Sequence, residues 1–133
     1  MIFESLQKIE RSLWARGTRF IIIGGVNALE VKEIKSREEF EKGIENGITL
    51  IDFSTPWYAS CRLQEPIIHQ LAAQFEGKVF IATMNIAESN DVALNLGIHS
   101  IPTLIIFKNG KEIQRFVGLQ SEDTLSEALK KLL

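Results

Sequence analysis

The residues from Phe53 to Cys61 read FSTPWYASC and end in the only cysteine of the chain. They stand where an apolar run gives way to a helical pattern. A tryptophan followed at once by a cysteine, with a second cysteine three residues later, would make a dithiol pair able to exchange with a disulfide. Here the first of those positions is Tyr58, and only the second, Cys61, is a thiol. A phenol titrates near about 10, and its oxygen forms no mixed disulfide. With no second thiol to resolve a mixed disulfide, an ordinary dithiol cycle is closed to this chain alone. Single-thiol exchange through Cys61 stays chemically open but slow. Only a few per cent of an unperturbed thiol, pKa about 8.5, is ionised at pH 7, and shelter beside a carboxylate lowers that further.

Two readings accompany each of these side chains. Cys61 is either the reacting thiol or a small buried hydrophobe. Asp52 interrupts the apolar run Ile48–Phe53. It is either a proton handler beside the thiol, which the cost of burying a charge favours, or a carboxylate satisfied by local hydrogen bonds. Trp57 is contact surface for a partner or plain packing. Tyr58 fills space or donates a hydrogen bond to something bound.

The elements that would position these groups follow from pattern. Ile2, Phe3, Leu6, Ile9 and Leu13 recur at helical spacing, which predicts an amphipathic helix over 2–14. RFIIIGG then reads as a short buried strand or an extended linker. Residues 30–34 predict a strand, and Ser36 with Glu39 a capping box opening a helix that buries Phe40 and Ile44 and ends near Gly47. Ile48–Phe53 reads as a central strand covered on both faces. After the FSTPWYASC loop, a helix runs to about Phe75 with Leu63, Ile67, Leu71 and Ala72 inward, kinked at Pro66. His69 is expected on its solvated face. Residues 78–84 predict a strand and 91–96 a short helix. Residues 103–107 and 112–117 are strands joined at the Asn109-Gly110 turn. Ser121 caps a last helix, whose acidic first turn and basic last turn suit its dipole. The order β-α-β-α-β-α-β-β-α implies an α/β fold with a mixed sheet and helices on both faces.

Bulk properties narrow the function. The chain has 133 residues, 45% hydrophobic and 24% charged, which suits one globular domain. A net charge of -2 gives no reason to expect nucleic acid or an anionic membrane as partner. One cysteine makes no internal disulfide. Glu4 and Glu10 among the early basic residues argue against a targeting peptide, and Phe20–Ile23 is too short to span a bilayer. The protein reads as cytoplasmic. No zinc or phosphate-loop signature appears, and Gly24-Gly25 is too little for a nucleotide fingerprint. No metal site and no cofactor are expected.

In this order, Ile51-Asp52-Phe53, Pro56-Trp57, Cys61, Pro66, Ile101-Pro102-Thr103, Phe107-Lys108-Asn109-Gly110 and Gly118 resemble a thioredoxin-family domain over residues 28–133. Residues 1–27 form an N-terminal extension, a helix and a short strand or linker, outside that pattern. The resemblance implies a thioredoxin-like fold related to thiol–disulfide oxidoreductases. In thioredoxins the motif after Trp57 is Cys-Gly-Pro-Cys. Tyr58 takes the place of its attacking cysteine, Ala59 and Ser60 its middle pair, and Cys61 its second cysteine. Asp52 matches the family's buried proton-handling aspartate. Pro102 matches its cis-proline, beside which Ile101 would offer backbone hydrogen bonds to an extended substrate. Ser54 departs from a frequent aromatic and Thr83 from a frequent lysine. Two functions stay open: a relative limited to single-thiol exchange through Cys61, and a redox-inactive protein-binding or chaperone-like module. Either would hold a protein or extended peptide in the groove beside Pro102. A homodimer contact through Phe3, Leu13 and Trp14 is a further expectation.

Overall fold

The computed structural model describes residues 31–133, together with the backbone of three two-residue strands before them. These are β1 (Thr18–Arg19), β2 (Ile22–Ile23) and β3 (Val26–Asn27), with β2 and β3 paired antiparallel. The helix expected over 2–14 and the dimer contact expected through it lie outside the described residues.

From residue 31 the order is β4 (Val31–Ile34), α1 (Arg37–Ile44), β5 (Ile48–Ser54), α2 (Ala59–Gln74), β6 (Phe80–Asn85), α3 (Asn90–Asn95), β7 (Thr103–Lys108), β8 (Lys111–Val117) and α4 (Glu122–Lys130). The sheet runs β1-β4-β6-β5-β7-β8. Strands β4, β6 and β5 are parallel, and β7, β8 and β1 antiparallel to their neighbours. The parallel centre needs cover on both faces, and two clusters supply it. On one face Val31, Leu50, Ile81 and Leu104 pack against Ile68 and Leu71 of α2 and Leu125 and Leu129 of α4. On the other, Ile51, Phe53, Met84 and Phe107 pack against Phe40 and Ile44 of α1 and Val92 of α3. The Phe40 ring meets Phe53 and Phe107 edge-on, with centroids 6.1 and 5.6 Å apart.

Local signals set the ends of these elements. The Glu39 amide donates to Ser36 Oγ (3.1 Å). The Glu39 carboxylate accepts from the Lys35 amide (3.2 Å), one residue earlier than a strict capping box. Ser121 Oγ accepts from the Thr124 amide at the start of α4. The β7–β8 turn places Asn109 at φ 49° and Gly110 at φ 85°, the left-handed pair that a two-residue hairpin requires.

Two expectations for α2 are corrected. Leu63 is exposed at 60%, not inward, and His69 is buried at 3%, not solvated. The buried stripe is Cys61, Gln64, Ile68, Leu71 and Ala72. Gln64 holds the inward position because both ends of its amide are satisfied: Nε2 donates to the Gln120 carbonyl (3.0 Å), and Oε1 accepts from the Gln120 amide (2.7 Å). A count of apolar residues misses a polar residue with a fixed partner. His69 lies with Nε2 3.8 Å from Glu65 Oε1, one turn back. Among the described residues no helix is long and apolar enough to cross a membrane. Urea unfolding should separate the two leucine positions on α2. Leu71→Ala should cost about 2–5 kcal/mol, as fully buried truncations do, and Leu63→Ala less than about 0.5 kcal/mol.

Candidate active site

Strand β5 ends at Ser54, and the chain turns through Thr55-Pro56-Trp57 into α2, whose first residue outside the helix is Tyr58. Tyr58 is extended (φ -96°, ψ 134°) and supplies no side-chain cap. The turn is closed by the Tyr58 amide donating to the Thr55 carbonyl (3.5 Å) and by Arg62 Nη1 donating to the Pro56 carbonyl (2.9 Å). Trp57 and Tyr58 stand outward, 73% and 56% exposed. Ala59 is exposed and Ser60 half-buried.

Cys61 faces the other way. It is 5% exposed, one turn into α2, and is a free thiol. Burial pushes its pKa up; the Thr55 backbone hydrogen bond opposes that, the Asp52 charge adds to it, and Ser60 and Arg62 oppose it. The positive end of a helix ordinarily favours a thiolate. At this depth loss of solvation outweighs that pull.

Asp52 lies behind the thiol. It is 2% exposed, and its Oδ1 has no hydrogen-bond partner. Desolvation first and the Glu65 charge second raise its pKa from 3.8 to about 7. Its strand register explains its surroundings. Asp52 pairs with Thr83, and Thr83 with Glu33, so these side chains form a row across β5, β6 and β4. That row lines a cavity of about 120 Å³ shared with Thr55, Cys61 and Glu65. Composition could not reveal this cavity, because it is made by register between three strands. Glu33 and Glu65 enter the site here without having been expected from the sequence. The alternation of residues along 31–34, set beside that of 50–53, was the only available signal.

Ahead of β7 the Ile101–Pro102 peptide is cis. Pro102 is buried, and its carbonyl accepts from the Gly118 amide (2.7 Å). Ile101 is half-buried, and among the described residues its amide and carbonyl take part in no backbone hydrogen bond. Register places Thr103 opposite Phe53, so the Pro102 loop and the β5–α2 turn share one end of the sheet. Among the predicted site residues, the structure therefore gathers Asp52 and Cys61 inside, and Trp57, Tyr58, Ala59, Ile101 and Pro102 around them. His99 is exposed. No group of three His, Cys, Asp or Glu side chains among the described residues could hold a metal.

This architecture is found in solved thioredoxins. The chain superposes on mitochondrial thioredoxin 3 of Saccharomyces cerevisiae with a TM-score of 0.70 at 25% identity, over 77% of this chain and 95% of that one. It superposes on the thioredoxin of Malassezia sympodialis with a TM-score of 0.70 at 27% identity, over 77% and 90%. The fold is thus a thioredoxin fold. Residues 31–131 match the family model described as thioredoxin. A thioredoxin of Staphylococcus aureus is 37% identical over 95 residues, 71% of this chain and 91% of that protein. The chain belongs to the thioredoxin family.

The Asp52 shift sets a pH dependence. A folded carboxyl that keeps its proton up to about pH 7, against 3.8 unfolded, takes up a proton on folding. The Asp52 contribution to stability is then greatest below about pH 4 and is lost as pH rises from there to about 7. Asp52→Asn should flatten this slope. Relative to the parent, the variant should gain on the order of 2–4 kcal/mol between pH 4 and pH 8, read by denaturant unfolding at both pH values.

Proposed function

We propose that this protein is a thioredoxin-family member that binds an extended protein segment in the groove beside Pro102 and is limited, in redox chemistry, to single-thiol exchange through Cys61. The observation that carries the reading is the pairing of an exposed phenol at Tyr58 with a single thiol at Cys61 that is 5% exposed. In the family frame Tyr58 occupies the place of the attacking cysteine. A disulfide presented in the groove would meet the phenol first.

The permitted reaction is simple. The Cys61 thiolate attacks one sulfur of a disulfide, a mixed disulfide forms on Cys61, and the other sulfur leaves as thiolate. Asp52, which lines the same cavity and whose pKa is raised to about 7, would accept the thiol proton. With no second cysteine in the chain, release of Cys61 requires an external thiol. Binding needs neither sulfur. The backbone of Ile101, which makes no backbone hydrogen bond among the described residues, would pair with an extended chain, as an added strand does at a sheet edge, while Trp57, Ala59 and Ser60 would offer side-chain contact. The partner is a protein or peptide rather than nucleic acid, in keeping with a net charge of -2, and the setting is the cytoplasm.

A second reading, a module with no redox activity at all, is favoured by the raised Cys61 pKa. Alkylation of native Cys61 across pH, with oxidised glutathione in parallel, separates the two. A glutathione adduct forming in the folded protein supports single-thiol exchange. Labelling that appears only on denaturation supports the binding module. Tyr58→Cys should turn the chain into a dithiol reductase of an insulin-type disulfide substrate; an inert variant would contradict the placement of Tyr58 in the attacking position.

A further inference from the structure

Helix α2 and the segment after β8 are joined by one side chain. Gln64 lies on the buried stripe of α2, one turn beyond Cys61, and is fully buried. Its amide pairs with Gln120 as a neighbouring strand would. Nε2 donates to the Gln120 carbonyl (3.0 Å), and Oε1 accepts from the Gln120 amide (2.7 Å). Among the described residues the Gln120 backbone makes no hydrogen bond to other backbone. Two residues earlier, the Gly118 amide donates to the Pro102 carbonyl (2.7 Å). The span 118–120 is therefore anchored at one end to the cis-proline loop and at the other to α2.

Leu119 sits between the anchors. It makes no backbone hydrogen bond among the described residues, and its side chain is exposed. Val117, on the other side of Gly118, is also exposed and pairs with Thr103, next to Pro102. The fold thus holds two large apolar side chains outward beside the Ile101–Pro102 peptide. Their place is set by the polar anchors rather than by burial. Stability does not require an amide at position 64. A buried hydrogen-bonded pair contributes little net over apolar filling of the same shape, and an apolar residue would extend the stripe of Ile68 and Leu71. What an apolar residue cannot supply is a directional, two-point bond that specifies one arrangement.

We infer that Gln64 is a positioning residue of the groove beside Pro102, fixing Leu119 as a contact that selects a partner segment carrying a bulky apolar side chain. The inference rests on the groove reading above and names what one of its walls accepts. Gln64 touches no partner itself; it acts through the Gln120 backbone. Without the clamp Leu119 samples several positions, and ordering it on binding costs affinity. Cys61 and its ionisation take no part.

The probe is a fluorescein-labelled, S-carboxymethylated insulin B chain, compared with the same peptide whose leucines are replaced by alanine. Anisotropy should show the full-length protein binding the leucine form about tenfold more tightly, the scale of burying part of one large apolar side chain. Gln64→Met, similar in length and unable to make either bond, should lose most of this preference. Leu119→Ala should lose it as well. Gln64→Met combined with Leu119→Ala should lose no more than either alone, a coupling that a merely structural Gln64 would not show. Additive losses, a Gln64→Met chain that keeps the preference, or a parent that binds both peptides alike each overturn the inference and leave the groove reading standing. A parent that binds neither peptide removes the groove reading, and the inference with it. Native-state hydrogen exchange needs no variant. The Gln120 amide should be protected at least about tenfold over the Leu119 amide, and equal protection overturns the clamp.

Discussion

A carboxyl group buried near the end of the central strand is the constraint on which the site depends. Asp52 is 2% exposed with an unpartnered oxygen, an arrangement that costs stability whenever the group is charged. The surrounding fold is strong enough to impose it. Packing of the sheet between two helix layers buries Leu50, Ile51 and Phe53 completely on either side of it. The position is fixed by strand register, so the acid cannot swing out to water without breaking β5 from both neighbours.

From that constraint the behaviour of the thiol follows. Cys61 shares the cavity with Asp52, and its ionisation is opposed by poor solvation and by the neighbouring acid. The helix dipole and the Thr55, Ser60 and Arg62 contacts act in the other direction, and they lose. A thiol tuned for attack needs exposure and positive surroundings. This one has depth and acidic surroundings, while the exposed position one turn earlier is filled by a phenol. In the function proposed, recognition and redox chemistry would be separable, because pairing of an extended peptide with the Ile101–Pro102 loop would need no sulfur.

Elements with a strong local signature were legible in the sequence. The Ser36 and Ser121 caps, the Asn109-Gly110 turn, the apolar central strand and the order of helices and strands all depend on residues close in the chain, and all are found where local chemistry puts them. Helix α2 shows the limit. Leu63 reads as core by spacing and is exposed, while Gln64 and His69 are buried. Helical periodicity assigns the inward face from apolar residues, but Gln64 is held inward by the Gln120 backbone, 56 positions away in sequence. Nothing within a window of the chain carries that information.

The sequence alone established the chemistry available to this protein: one thiol, a phenol where a second thiol would serve, and an acid placed in an apolar strand. Those are properties of residue type and short spacing, and no fold can add a sulfur atom. The tertiary structure decided what that chemistry is worth. It set the depth of Cys61, joined Glu33, Thr83 and Asp52 into one row, and brought the cis Pro102 loop to the same end of the sheet. Solvation and long-range register control each of these, and both come into being only when distant strands pair.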